Sequence, residues 1–311
     1  MKKVLLLGTA LLGALSLAGC SQGEAFDVNS DIKLYTRDTT SGTRDGFFTG
    51  IGLEVAKDKN DPLKNEGLGT VESNGDMITS IKNDKYGIGY ISLSTLESSG
   101  LKGLTYEGAK PTEENVLAGS YTLKRNFNFI TRTEYSSDTK KQIVDAFLAY
   151  LTTQEAKTIM KNDGGILEVK TTDPTWEEVK KNHPISTKDN SSITINFGGS
   201  TSVSNMAKAL AQEFSSLCGN VKFSHDYHGS GDAFKKTQGK DKDNVGNYDI
   251  AFASRDFKLD SSEKAAEGSY GTLCIDAIVP VVNPENKYSS VTKTNLVDMY
   301  TGKINKWNEL A

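Results

Sequence analysis

Three short stretches of this chain carry the residue types that hold an oxyanion. One is Arg37-Asp38-Thr39-Thr40-Ser41-Gly42-Thr43, near the N-terminus. The others, Gly198-Gly199-Ser200-Thr201-Ser202 and Gly229-Ser230-Gly231, lie far downstream. Each places glycine and hydroxyl residues ahead of a helical pattern. A helix N-terminus offers unpaired N–H groups and partial positive charge, so an anion there meets donors already aimed at it. Ser and Thr hydroxyls add donors without bulk, and glycine lets the backbone come close. Arg37 stands four residues before Ser41, and its planar fork can grip two anion oxygens. Each stretch also has a plainer reading. Ser41-Gly42-Thr43 is a turn and N-cap, 198–202 a tight strand-to-helix turn, 229–231 a loop tripeptide, and Arg37 a surface partner for Asp38. The combination of all three in one chain favours one shared oxyanion site.

A nucleophilic role for Ser41 or Ser230 needs a base close by. His225 and His228 lie near Ser230 in sequence, but their spacing at a strand end fits packing or exposure. The chain has three histidines, and no Cys/His cluster has zinc spacing, so neither a metal nor a cofactor is expected.

The elements that must position these loops read as strand–loop–helix units. Ile32, Leu34 and Thr36 alternate with polar residues ahead of the first loop, and a helix through Phe47, Phe48 and Ile51 follows. Ile193, Ile195 and Phe197 form a second alternating strand. Behind it Met206, Ala207, Leu210, Ala211 and Phe214 fall at helical spacing. A third strand over 221–227 meets Gly229-Ser230-Gly231 and a short helix from about Ala233. Residues 248–253 and 274–282 are near-continuous apolar runs that suit strands buried on both faces. The alternation argues for an α/β fold. Residues 171–192 are polar and broken by Pro174 and Pro184, which reads as a connector with a helical turn around 176–181.

The chain opens Met1-Lys2-Lys3, continues with an apolar run over 4–17 and reaches Ala18-Gly19-Cys20. This is the pattern of a secretory signal, too short for a spanning helix of about 20 apolar residues. Leu17-Ala18-Gly19-Cys20 resembles a bacterial lipobox, which implies lipidation of Cys20; ordinary secretion with loss of Cys20 is the alternative. The rest of the 311 residues suffices for one large domain or two modest lobes. A net charge of −4 gives no basic footprint for nucleic acid, and nothing suggests an oligomer, so a monomer is expected. Beyond Cys20, Cys218 and Cys274 are either a disulfide pair, which an exported chain can keep, or buried thiols.

Taken together, these residues resemble the phosphate-binding receptors of bacterial phosphate ABC transporters, which have the type II periplasmic-binding-protein fold. Residues 193–311 are similar to the family's usual first half. They include Asp249-Ile250-Ala251-Phe252-Ala253-Ser254-Arg255, Asp276-Ala277-Ile278-Val279-Pro280-Val281-Val282-Asn283-Pro284 and Leu296-Val297-Asp298-Met299-Tyr300-Thr301-Gly302-Lys303-Ile304 with Trp307. The element expected next, a strand leading to Arg, Ser-Gly-Thr and Phe, is found at 32–48. It is followed by Tyr86-Gly87-Ile88-Gly89-Tyr90-Ile91, a strand at Tyr121-Thr122-Leu123-Lys124-Arg125 and residues 147–165. The motif order therefore implies a circularly permuted α/β fold of two lobes, with mixed, mostly parallel sheets and a two-strand hinge.

The organisation implied is a signal peptide at 1–19, a tether at 20–30, lobe A at 31–95 and 276–311, and a connection at 96–120. Lobe B would be 121–170 and 193–275, with 171–192 joining the family's usual ends. The crossing strands would lie near 275–283 and 121–131. The resemblance implies that Arg37, Ser41, Gly42 and Thr43 bind phosphate from lobe A, and Ser200, Thr201, Ser202 and Ser230 from lobe B. Many such receptors place an acidic residue after Ala-Ser to accept the proton of hydrogen phosphate. Here Arg255 stands there, followed by Asp256. Arg255 is thus either a further anion contact or an ion-pair residue at the cleft rim. The implied role is an extracytoplasmic lipoprotein, held to the outer face of the cytoplasmic membrane, that passes inorganic phosphate to an ABC permease without catalysis. Receptors for sulfate, molybdate or tungstate, a surface phosphatase and an adhesin are the alternatives.

Overall fold

The structure is a computed structural model, and it describes residues 25–63 and 66–310. The signal sequence and Cys20 lie outside the described residues. The strands, in chain order, are β1 (Lys33–Arg37), β2 (Gly69–Val71), β3 (Gly87–Ser92), β4 (Lys102–Gly103), β5 (Thr105–Tyr106), β6 (Lys124–Thr131), β7 (Thr194–Gly199), β8 (Lys222–Tyr227), β9 (Ile250–Ala253), β10 (Tyr270–Val282) and β11 (Ser290–Val291). The helices are α1 (Gly42–Gly50), α2 (Asn74–Lys82), α3 (Leu96–Ser99), α4 (Glu113–Leu117), α5 (Asp138–Tyr150), α6 (Gln154–Asn162), α7 (Trp176–Val179), α8 (Ser204–Leu217), α9 (Ser230–Thr237) and α10 (Lys293–Tyr300).

Eight strands follow one path, β2-β1-β3-β10-β6-β9-β7-β8, and β4 adds to β10. The ends of this path are parallel: β1 with β2 and β3, and β7 with β8 and β9. Its middle is antiparallel, where β10 pairs with β3 and β6, and β6 with β9. The sheet is thus mixed, with less parallel character than expected. The physical reason lies in the crossing. Strand β10 leaves a core containing Leu273 and Cys274 and enters another containing Ala277, Ile278 and Val282. The chain from Tyr121 and Leu123 to Phe127 makes the reverse journey. Two strands crossing in opposite directions must pair antiparallel.

The two cores define two lobes. In lobe A, β1, β3 and α1 enclose Leu34, Phe47, Phe48, Ile88 and Tyr90, joined by Tyr300 and Trp307. In lobe B, the expected stripe of α8 packs Met206, Ala207, Leu210, Ala211 and Phe214 against Phe147, Phe197 and Phe252. Residues 96–120, expected as a connection, form β4, β5 and α4 and bury Leu104, Tyr106 and Val116 in the lobe A core. Residues 171–192 likewise pack down: Trp176 and Ile185 are buried in lobe B. The described part of residues 20–30, expected as a tether, docks too. Phe26 packs with Tyr86, Tyr288 and Trp307, and the Val28 carbonyl accepts from Asn308 N–H at 2.7 Å. Cys218 and Cys274 are buried free thiols.

The crossing carries a buried ion pair. Arg125 Nε and Nη2 donate to Asp276 Oδ2 at 3.0 and 2.9 Å, and Ser92 Oγ donates to Asp276 Oδ1 at 2.7 Å. Helix α1 lies against these strands through glycine. A Cβ on Gly46 would stand 2.7 Å from Ile278 Cδ1, and one on Gly50 2.5 Å from Leu123 Cδ2.

Candidate oxyanion site

Three loops end where the lobes meet. Strand β1 delivers Arg37, and Ser41 caps α1 by accepting from the N–H groups of Thr43 (3.2 Å) and Arg44 (3.4 Å). Strand β7 delivers Ser200, Thr201 and Ser202 ahead of α8. Helix α9 begins at Ser230 itself, earlier than the sequence pattern indicated, so Ser230 sits in its first turn. The N-terminal ends of α1 and α9 therefore converge with the loop before α8.

Contacts across the cleft are short. Thr43 Oγ1 and Ser202 Oγ are 2.9 Å apart. Arg37 Nη2 donates to Thr201 Oγ1 at 3.1 Å. Gly231 N–H donates to the Thr40 carbonyl at 3.0 Å. On the lobe B side, Ser200 Oγ donates to Ser254 Oγ at 2.9 Å, and Ser230 Oγ lies 3.1 Å from the same atom. A Cβ on Gly42 would fall 2.3 Å from Ser230 Oγ and 2.7 Å from Ser254 Oγ. A side chain at position 42 would thus have to displace these serines where the lobes touch. Gly199 has φ +101°, and a Cβ there would stand 2.2 Å from the Phe252 carbonyl oxygen; this strained turn sends the chain from β7 into the hydroxyl loop.

Arg37 is 1% exposed. Its acceptors are all neutral: the Glu72 carbonyl (2.6 Å), Asn74 Oδ1 (3.3 Å) and Thr201 Oγ1. Its Nε–H is buried and has no acceptor. Burial lowers its pKa, partly offset by Tyr90 and Asp38. Neighbours fix its place. Tyr90 Oη accepts the Arg37 backbone N–H at 3.1 Å and pairs with Thr36 Oγ1 at 2.7 Å. Arg44, wholly buried, spends its guanidinium on the carbonyls of Arg37, Ala56, Lys57 and Lys59.

The structure thus gathers Arg37, Ser41, Gly42, Thr43, Ser200, Thr201, Ser202 and Ser230 at one place. It adds three residues whose part in the cluster the sequence pattern did not reveal. Asn74 bonds both Arg37 and Ser202. Ser254 joins Ser200 to Ser230. Arg44 braces the Arg37 carbonyl. Ser254 belongs to the Asp249-to-Arg255 motif, so its signal was present; Asn74, in the first turn of α2, had none. Asp38 borders the cluster, with Oδ1 accepting from Thr40 N–H at 2.8 Å and Oδ2 buried without a partner.

Arg255 is not brought into this cluster by any hydrogen bond. Its Nη1 and Nη2 donate to Glu263 Oε2 and Oε1, each at 2.7 Å, and its Nε lies 4.0 Å from Asp45. Burial opposes its charge, but Glu263 outweighs burial and raises the pKa. Asp256 is also engaged, by Asn126 and Asn128 at 3.0 Å. His225 faces Tyr227 Oη at 3.1 Å and His228 faces Asp226 at 2.7 Å, so neither of these contacts is with Ser41 or Ser230.

A family model described as a PBP superfamily domain matches residues 21–155 and 184–311. This chain belongs to the PBP superfamily. Among similar proteins is the phosphate-binding protein PstS 2 of Streptococcus pneumoniae, 28% identical over 314 residues that span 99% of both chains. The phosphate-binding protein PstS 2 of Streptococcus agalactiae is 26% identical over 309 residues, covering 99% of this chain and 97% of its own. The crystal structure of a phosphate-binding protein of a phosphate ABC transporter from S. pneumoniae TIGR4 shares the fold, with TM-score 0.63, 24% identity and coverage of 91% of this chain and all of that one. The streptococcal sequences align end to end. That alignment shows no circular permutation of this chain relative to them.

Proposed function

We propose that this protein captures inorganic phosphate between its two lobes and presents it to an ABC permease at the outer face of the cytoplasmic membrane. In this reading Cys20 carries a lipid anchor, the chain acts as a monomer, and no bond is made or broken. The observation that carries the reading is Arg37, a buried cation with neutral partners only, faced by hydroxyls from both lobes. A buried charge without a counter-charge is costly, and a tetrahedral anion supplies the missing charge and the missing acceptor for Nε–H. The names of the streptococcal relatives agree with phosphate as that anion.

Arg37, Ser41, Gly42, Thr43, Ser200, Thr201, Ser202 and Ser230 are the proposed ligands, with Asn74 and Ser254 added. Arg255 serves better as a rim ion pair, because Glu263 already takes both of its terminal nitrogens. That removes the reason for expecting sulfate in place of phosphate. Asp38 Oδ2 is a suitable acceptor for the proton of hydrogen phosphate, a proton that sulfate lacks. The test is calorimetric titration of the phosphate-stripped mature protein with phosphate, repeated in excess sulfate. Tight binding that sulfate leaves unchanged supports the reading. Strong competition by sulfate shifts it to a general oxyanion receptor.

A further inference from the structure

The geometry points to a second anion site, on the hinge side of α1, that takes a small polyanion such as a condensed phosphate. A cavity of about 510 Å³ lies there, walled by α1 and Lys57 of lobe A, by Lys124–Asn126 of the crossing strand and by 255–258 of lobe B. That volume falls in the range of ligand pockets. Its floor is Arg125, whose side chain is 3% exposed. Asp276 occupies Nε and Nη2 of this guanidinium, while Nη1 is buried without an acceptor. A buried donor without a partner carries a desolvation penalty that an incoming oxyanion relieves.

The other charges of the wall sort clearly. Arg255 is held by Glu263, and Lys258 reaches Asp58 at 3.3 Å. Asp256 accepts from two asparagines, and Asp45 stands 4.0 Å from Arg255. Lys57 of lobe A and Lys124 of the crossing strand line the cavity, and neither has a carboxylate at ion-pair distance among the described residues. Two uncommitted ammoniums and one unfilled guanidinium edge fit an occupant with at least two anionic groups, and the cavity exceeds what one phosphate needs. Phe257 and Ile275 supply an apolar side.

Because both lobes build the wall, an occupant favours the closed arrangement. If the first site also closes on its anion, a step that rests on the proposed function, the two ligands reinforce each other.

The experiment uses pyrophosphate as probe. It is titrated into Arg37→Ala, in which the first site is disabled, and into the same variant with Lys57→Ala and Lys124→Ala added. Wild-type protein saturated with phosphate gives a second measurement that does not depend on the folding of Arg37→Ala. The expected result is pyrophosphate binding in both backgrounds, weakened at least tenfold by the two lysine substitutions. Saturating pyrophosphate should also tighten phosphate binding several-fold in wild type, but not in the Lys57→Ala/Lys124→Ala variant. Absence of pyrophosphate binding in both backgrounds, or equal binding with and without the lysines, overturns the site. Binding without any effect on phosphate overturns the coupling. Failure of the phosphate reading would appear separately, as wild-type protein that does not bind phosphate.

Discussion

Arg37 and Arg255 stand near the same cleft, one from each lobe, and both are under a tenth exposed. Their partners differ completely. Arg255 meets a carboxylate fork to fork, whereas Arg37 meets a carbonyl, an amide and a hydroxyl. A neutralised guanidinium holds a loop in place; an unneutralised one among donors is a place for an anion. Arg125 lies between these cases, paired with Asp276 on one edge and open on the other. Residue type alone therefore does not separate binding from structure, and charge balance does.

The contrast can be broken by mutation. Arg37→Gln keeps most of the volume and removes the charge. Removing one partner of a charge-assisted hydrogen bond in a desolvated site costs about 3 kcal/mol or more. Phosphate affinity should therefore fall by roughly two orders of magnitude, read by calorimetry, while the melting temperature holds or rises. Glu263→Gln should do the reverse. Leaving Arg255 buried without its partner costs about 3 kcal/mol in stability, measured by denaturant unfolding, with phosphate affinity little changed.

The Glu263 pair also predicts a pH dependence. Burial alone would raise the Glu263 pKa, but the bonds from Arg255 outweigh it and hold the group below the ordinary value. A depressed carboxylate contributes stability above its unfolded pKa of about 4.3 and loses it as pH falls through the folded value. Unfolding curves at pH 7 and at successively lower pH should therefore converge for wild type and Glu263→Gln in acid. A gap that stays constant with pH would contradict the assignment.

Smaller effects test the rest of the cluster. Gly42→Ala pushes a methyl into Ser230 and Ser254, so closure should be impeded and affinity reduced about tenfold, on the order of the 1–3 kcal/mol that overpacking costs. Asp38→Asn should leave phosphate affinity within a few-fold but let sulfate compete. Unchanged discrimination in a competition titration would remove Asp38 as the proton acceptor.

Much of this arrangement was legible in the sequence, because the loops follow alternating strands and precede helical stripes. The stripe at Met206 to Phe214 is buried as its spacing requires. What stayed hidden depends on long-range pairing. Asn74 reaches Arg37 only because β2 lies parallel beside β1. Glu263 is eight residues from Arg255, in a loop without periodicity. Phe26 and Trp176 are single aromatics in polar runs, so local pattern marks them as tether and connector, whereas each fills a gap in a core made elsewhere. The motif order points to a permuted chain, yet order alone does not fix topology, and the end-to-end alignment with the streptococcal relatives shows no permutation.

The central claim, that the unpaired buried guanidinium is the anion anchor, is tested most directly by titrating phosphate into wild type, Arg37→Gln and Arg255→Ala side by side. The account predicts a loss of about a hundredfold for Arg37→Gln and less than about threefold for Arg255→Ala, as expected for a charge in the site and a charge already neutralised. Wild-type affinity in Arg37→Gln together with abolished binding in Arg255→Ala would contradict it.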